Sequence, residues 1–182
     1  MQWEHDFLLS LESLRSPFMD WLMSFFSVIN DHGYICIALA LILLIFRRTR
    51  RTGLQVFISI ALAYILANLI IKNVVARPRP YEVYADLIPL VGKPHDTSFP
   101  SGHAVSAFAA ATAVFMNNKK FGVLALTIAL MISFSRLYNR VHFPTDVLAG
   151  AAIGIIMAIL VCRLIYPAAE KAIKNRKAKS GS

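Results

Sequence analysis

Residues 53–74 read GLQVFISIALAYILANLIIKNV, an apolar run broken by Gln55, Ser59 and Asn68 and closed by Lys72-Asn73. A helix that crosses a bilayer needs about 20 mostly apolar residues, and this stretch has them. Outward from it the pattern repeats, because the approximate segments 28–46, 101–117, 121–138 and 146–166 are also long and apolar. Five crossings are expected. The run from Pro17 to Ile29 is too short to span alone and gives way to Asn30-Asp31-His32. It reads as an interfacial or re-entrant helix, with a sixth crossing as the alternative. Residues 4–14 fit a short amphipathic helix at the surface. The expected fold is all-α: a polytopic membrane helix bundle of about five or six transmembrane helices, with a short interfacial region at 1–27.

Composition points the same way. Hydrophobic residues make up 57% of the 182, and mean hydropathy is +0.59, against about 45–50% apolar residues in soluble domains. No Ser/Gly-rich linker or internal repeat divides the chain, so 1–182 reads as one membrane-embedded domain. A net charge of +9 would suggest nucleic acid in a soluble protein, but these basic residues flank apolar runs and no nucleic acid is expected. Cys36 and Cys162 lie inside apolar segments, lack metal-ligand or disulfide spacing, and read as packing residues. Met1 to Ser16 carries Glu4, Asp6 and Glu12 without a basic start before an apolar core, so a cleaved signal peptide is not expected.

Lys and Arg accumulate in short cytoplasmic loops. Arg47 to Arg51, Lys119-Lys120 and the tail at 167–182, with Lys171, Lys174, Arg176, Lys177 and Lys179, therefore belong inside. The connections Asn73 to Pro100 and Asn139 to Thr145 then face outward. Lys72, Arg77, Arg79, Arg136 and Arg140 break the charge rule on that face, which implies a role beyond topology. The first connection, 73–100, is far longer than the ~4–6 residues usual between elements. Pro78 and Pro80 stiffen it, Tyr81 and Tyr84 suit the headgroup level, and it reads as a structured lid.

Three polar clusters share the outward face: Lys72 to Arg79-Pro80, Pro100-Ser101-Gly102-His103, and Ser135-Arg136 through His142 to Asp146. Placing Ser101, Gly102 and His103 in the first turn of a helix aims unpaired N–H groups and the positive dipole end at an anion. Gly102 permits close backbone approach. Ser101 adds a hydroxyl, Lys72 a compact charge, and Arg79 and Arg136 planar forks that fit two phosphate oxygens. Such fixed donors stabilise charge on the equatorial oxygens of a transferring phosphoryl group. Two histidines suit the two remaining tasks, attack on phosphorus and protonation of the leaving group. Asp146 can fix the tautomer of His142, which makes His142 the nucleophile and leaves His103 as the general acid. Pro144 starts the following helix, so His142 and Asp146 are a loop residue and a first-turn residue.

The three clusters match the signature of the type 2 phosphatidic acid phosphatase superfamily in order and without departure. Lys72, six residues, Arg79-Pro80 resembles its first motif, Pro100 to His103 its second, and Ser135-Arg136, five residues, His142, three residues, Asp146 its third. The resemblance implies a helix bundle and a phosphohistidine at His142 with His103 as acid. It also implies phosphate binding by Lys72, Arg79, Ser101, Gly102 and Arg136, and catalysis without a metal or other cofactor. No carboxylate cluster of Mg²⁺-ligand character is visible in the sequence. The expected substrate is a membrane lipid phosphate or pyrophosphate (undecaprenyl pyrophosphate, phosphatidate or phosphatidylglycerophosphate). The expected location is the bacterial cytoplasmic membrane, with the site facing out. A non-catalytic lipid-phosphate-binding or scramblase-like protein is the alternative, and the membrane spans disfavour haloperoxidase chemistry.

Residues outside the motifs receive plainer readings. Arg77 and Arg140 read as solvated or headgroup-facing charges, His32 and His95 as surface residues, and Asn68 as a packing hydrogen-bond partner. Ala107, Ala109, Ala110, Ala111, Ala149, Gly150, Ala151 and Gly154 read as small residues that let helices approach.

Overall fold

The computed structural model of the chain describes residues 2–180 by backbone and 2–175 by side chain, so Arg176, Lys177 and Lys179 of the expected basic tail lie outside the described side chains. Among the described residues every regular element is helical. Helix α1 (Gln2–Ser10) and a tight turn (Leu11–Leu14) precede Ser16, whose hydroxyl accepts the Met19 N–H at 3.2 Å. With Pro17 in the first position, that cap starts α2 (Pro17–Val28). A break at Asn30–Gly33, with His32 and Gly33 in left-handed conformations, leads to α3 (Tyr34–Ile45). The two arms are bent by 46°.

Helix α4 (Arg50–Tyr64) continues through a π-helical stretch (Ile65–Ile71) into α5 (Lys72–Val75). Ala76, at φ 45°, ends it and starts the long connection, whose only helix among the described residues is α6 (Pro80–Val83). Then come α7 (Gly102–Asn117), α8 (Lys119–Tyr138), α9 (Pro144–Leu160), a second π-helical stretch (Val161–Ile165) and α10 (Tyr166–Ser180). Asn118 caps α8 through its Oδ1 and the Phe121 N–H (3.2 Å).

Helix α7 is the centre of the bundle. Every residue from Ala104 to Val114 is buried, and α4, α8 and α9 pack around it. Small residues make that possible: a Cβ on Gly150 would stand 2.6 Å from the Ser101 carbonyl, and one on Gly154 2.5 Å from the Val105 carbonyl. The expected packing role of the small residues is met at these two glycines.

Helices Arg50–Val83, Lys119–Tyr138 and Pro144–Asn175 are long and apolar enough to cross a bilayer, and the bent pair of α2 and α3 makes a fourth if counted as one span. Segment 28–46 supplies only the second arm of that pair. Segment 101–117 is helical as expected, but its 16 residues lie inside the bundle, ringed by other helices. Exposed Phe57, Leu69, Leu130, Leu148 and Ile156 give the outside an apolar coat suited to lipid.

The basic segments meet at one end. Arg51 lies over the Tyr166 ring (5.3 Å) and 3.9 Å from Glu170, while Gln55 accepts from Asn117 at 2.6 Å. The opposite end gathers the close of α5, the starts of α7 and α9, and the end of α8, which is where the three motifs lie.

Candidate active site

Four elements converge on a cavity of about 1090 Å³ lined by Lys72, Arg79, Gly102, His103, Arg136 and His142. Ser101 and Asp146 stand behind its wall, both fully buried. Ser101 is the N-cap of α7, yet its hydroxyl makes no cap bond and has no hydrogen-bond partner among the described residues. Its own N–H donates to the Asp146 carbonyl (3.0 Å). The first turn of α7 thus begins without side-chain capping, leaving the Gly102 end open to an anion. A Cβ on Gly102 would meet Asn68 Oδ1 at 3.3 Å, so Asn68 lines the cavity beside that turn.

His142 is positioned by the turn before it. Arg140, at φ 58°, breaks the line of α8, and Val141 presents its carbonyl to Arg79 (2.6 Å). His142 Nε2 then stands 3.3 Å from the Arg79 guanidinium, and Nδ1 3.7 Å from Asp146 Oδ2 and 3.5 Å from Ser98 Oγ. Asp146 is the third residue of α9, and its Oδ2 accepts the Phe143 N–H (2.8 Å) and the Ser98 hydroxyl (2.5 Å). Burial drives the His142 imidazole down to about 3. Asp146 pulls it upward, and Arg79 and Arg136 add to the fall. At neutral pH the ring is uncharged, with Nε2 facing the cations.

His103 has a different carboxylate. Its Nε2 lies 3.0 Å from Asp31 Oδ1, in the α2–α3 break, and 3.1 Å from the Ser27 carbonyl, in the last turn of α2. Arg136 donates to the Ser27 hydroxyl, while its Nε is buried without a partner among the described residues. The segment read as interfacial or re-entrant, Pro17 to Ile29, therefore reaches the site through Ser27, and the polar residues after it through Asp31.

A carboxylate already occupies the cationic centre. Asp96 accepts from Lys72 Nζ and from Arg79 (2.5 Å), and its carbonyl accepts from Arg79 Nε (2.7 Å). Burial acts to raise the Asp96 pKa, but Lys72 and Arg79 outweigh it and hold the group at about 2. The connection 73–100 is folded beside the site: Tyr81 donates to the Pro94 carbonyl (2.7 Å), and the Ser98 N–H to the Arg77 carbonyl (2.8 Å).

Two plainer readings are overturned. Arg77 is not solvated, because it bridges Asp146 Oδ1 (2.7 Å) and Glu4 (2.6 Å) and lies 4.0 Å over the Phe143 ring. Arg140 is also buried, 3.2 Å from Glu12. Both were misread because their carboxylates come from the N-terminal segment or from a later helix, far along the chain. His32 and His95 are exposed as expected, at the cavity rim. Sequence reasoning missed Asp96, Ser98, Asp31 and Glu4, and the one local signal was that Asp96 and Ser98 directly precede the second motif.

A family model for the PAP2 superfamily matches residues 52–169. The chain belongs to the PAP2 superfamily. An undecaprenyl-diphosphatase of Sulfolobus acidocaldarius is 37% identical over 122 residues, 66% of this chain and 59% of the relative, so the chain spans about three fifths of that protein's length. The crystal structure of Aquifex aeolicus LpxE superposes with a TM-score of 0.76 at 30% identity, covering 87% of this chain and 93% of that one. A transmembrane PAP2-type phosphatidylglycerolphosphate phosphatase from Bacillus subtilis superposes with a TM-score of 0.72 at 26% identity, over 88% and 83% of the two chains. The apolar helices and the transmembrane relative make this PAP2 chain a membrane protein.

Proposed function

We propose that this PAP2 protein is a lipid phosphatase that removes the terminal phosphate of a membrane lipid phosphate or pyrophosphate through a phosphohistidine on His142. The observation that carries the reading is a buried, uncharged His142 whose Nε2 faces Arg79, in one cavity with Lys72, Arg136 and His103. Phosphate oxygens displace Asp96 and take the Lys72, Arg79 and Arg136 donors together with the Gly102 N–H. The Nε2 lone pair of His142 attacks phosphorus while Nδ1–H faces the Asp146 carboxylate and the Ser98 hydroxyl bonded to it. The bond from phosphorus to the leaving lipid oxygen breaks, and that oxygen takes a proton from His103. His103 then accepts a proton from water as its oxygen attacks phosphorus, and the N–P bond of phosphohistidine breaks to release inorganic phosphate. Preorganised cations stabilise both five-coordinate states.

A long apolar chain fits the same cavity. Its lining runs from Lys72 of α5 past Leu69 in the π-helical stretch to Tyr64 and Phe57 of α4, roughly 20 Å of helix. The basic end, with Arg47 to Arg51, Lys119 and Lys120, belongs in the cytoplasm by the positive-inside rule, so the site faces out. A bacterial cytoplasmic membrane is the proposed location. An outward site favours a polyprenyl carrier pyrophosphate, in keeping with the name of the Sulfolobus relative.

Purified protein in detergent, with a chelator present, should release phosphate from undecaprenyl pyrophosphate faster than from phosphatidate or phosphatidylglycerophosphate. His142→Ala should abolish release, and His103→Ala should lower it by about 10²–10⁴-fold. Binding of these lipids without any phosphate release would favour the non-catalytic alternative.

A further inference from the structure

Glu4 of α1 is fully buried and lies outside both the three motifs and the matched region 52–169. Its Oε1 accepts the Thr145 N–H (3.2 Å) and hydroxyl (2.6 Å), and its Oε2 accepts from Arg77 (2.6 Å). The other terminal nitrogen of Arg77 donates to Asp146 Oδ1 (2.7 Å) and Thr145 Oγ1 (2.7 Å). The chain of contacts thus runs from the N-terminal helix through a guanidinium to the carboxylate that stands behind His142.

Charge balance gives this chain its meaning. Arg77 holds Asp146 Oδ1 while His142 Nδ1 faces Oδ2, so the pull of the guanidinium on Oδ1 sets the tilt of the carboxylate against the imidazole. Glu4 takes the second arm of the planar fork, so Arg77 is shared between two carboxylates and fixed in orientation. Glu4 is one of several contacts that hold the N-terminal segment. His5 stacks on Tyr84 (4.2 Å) and pairs with Asp86 (2.9 Å), Leu8 packs with Leu87 and Phe143, and Glu12 reaches Arg140. Glu4 differs from those contacts in being fully buried and in bonding the same guanidinium that holds Asp146, which ties the docking of α1 to the reaction.

We propose that Glu4 is a positioning residue that sets, through Arg77, where the Asp146 carboxylate stands against His142, so that the N-terminal helix completes the active site. The inference rests on reading the protein as a His142-dependent lipid phosphatase. In full-length protein, Glu4→Gln should lower kcat roughly tenfold, as expected for coupled neighbours, and leave KM within about twofold. Adding Arg77→Gln removes the uncompensated charge, so the double variant should lose less than the product of the single losses. Glu12→Gln loosens the same segment elsewhere and should keep wild-type kcat.

The proposal is overturned if Glu4→Gln keeps wild-type kcat, if the two losses simply multiply, or if Glu12→Gln matches Glu4→Gln. A second readout needs no turnover: the ¹⁵N resonances of the His142 ring should move in Glu4→Gln and stay in place in Glu12→Gln. Unmoved resonances in Glu4→Gln overturn the proposal. A wild-type protein inactive on every lipid, with the resonances moved as expected, instead sinks the phosphatase reading and leaves the positioning role standing.

Discussion

Asp96 accepts hydrogen bonds from Lys72 and Arg79, the two cations proposed to hold the substrate phosphate, so carboxylate and substrate compete for the same donors. Asp96→Asn weakens the competitor, and the inhibition constant for orthovanadate should fall by up to about fivefold, the equivalent of ~1 kcal/mol for a partly exposed ion pair. A rise would mean that Asp96 preorganises the cations. His142 carries a pH signature. Its folded pKa, near 3, lies below the ordinary value of 6.5, so the unfolded chain binds more protons between those limits. Stability is therefore full above about 6.5 and is lost on acidification, by up to about 1.4 kcal/mol per pH unit. The melting temperature of His142→Gln should depend less on pH than that of the wild type across this window. The motif residues were legible because their spacing lies along the chain. Asp96, Arg77 and Glu4 were not, because a lone charge in a loop or on a short surface helix reads as solvated until a partner far along the chain is brought beside it.

The contact between α7 and α9 places Ser101, Gly102 and His103 against the start of the helix that carries Asp146. Gly150→Ala would set a Cβ 2.6 Å from the Ser101 carbonyl, and backbone must shift to admit it. The expected cost is about 1–3 kcal/mol, read as a lower melting temperature in detergent together with reduced turnover. Unchanged melting would mean that this helix pair is loosely packed. Most helices could be read from the sequence, since a long apolar run has few other solutions in lipid. Which of them face lipid could not. Apolarity marks exclusion from water without telling lipid from protein, so α7, rich in alanine and ringed by helices, gave the same signal as a lipid-facing span. The break at Asn30–Gly33 was visible as polar residues, but its use, bringing Asp31 to His103, depends on how α2 folds back against α8.

Across the whole molecule, the motifs and the basic segments lie at opposite ends, which turns a charge pattern into a topology. Gly92 has open space around it, so Gly92→Cys should take an impermeant thiol reagent from outside intact cells. Asn118→Cys should react only after permeabilisation, and the reverse pattern would place the reaction in the cytoplasm. The polar clusters and the basic flanks allowed this bipolar layout to be foreseen. The docking of α1 onto Thr145 and Arg77 was hidden, because a short surface-type helix gives no sign of its partner. The central claim is that His142 takes the phosphoryl group. Protein quenched during turnover of lipid labelled with ³²P at its terminal phosphate should carry an acid-labile, base-stable label that maps to the peptide containing His142 and is absent from His142→Ala. Label on any other residue, or turnover that survives in His142→Ala, would contradict it.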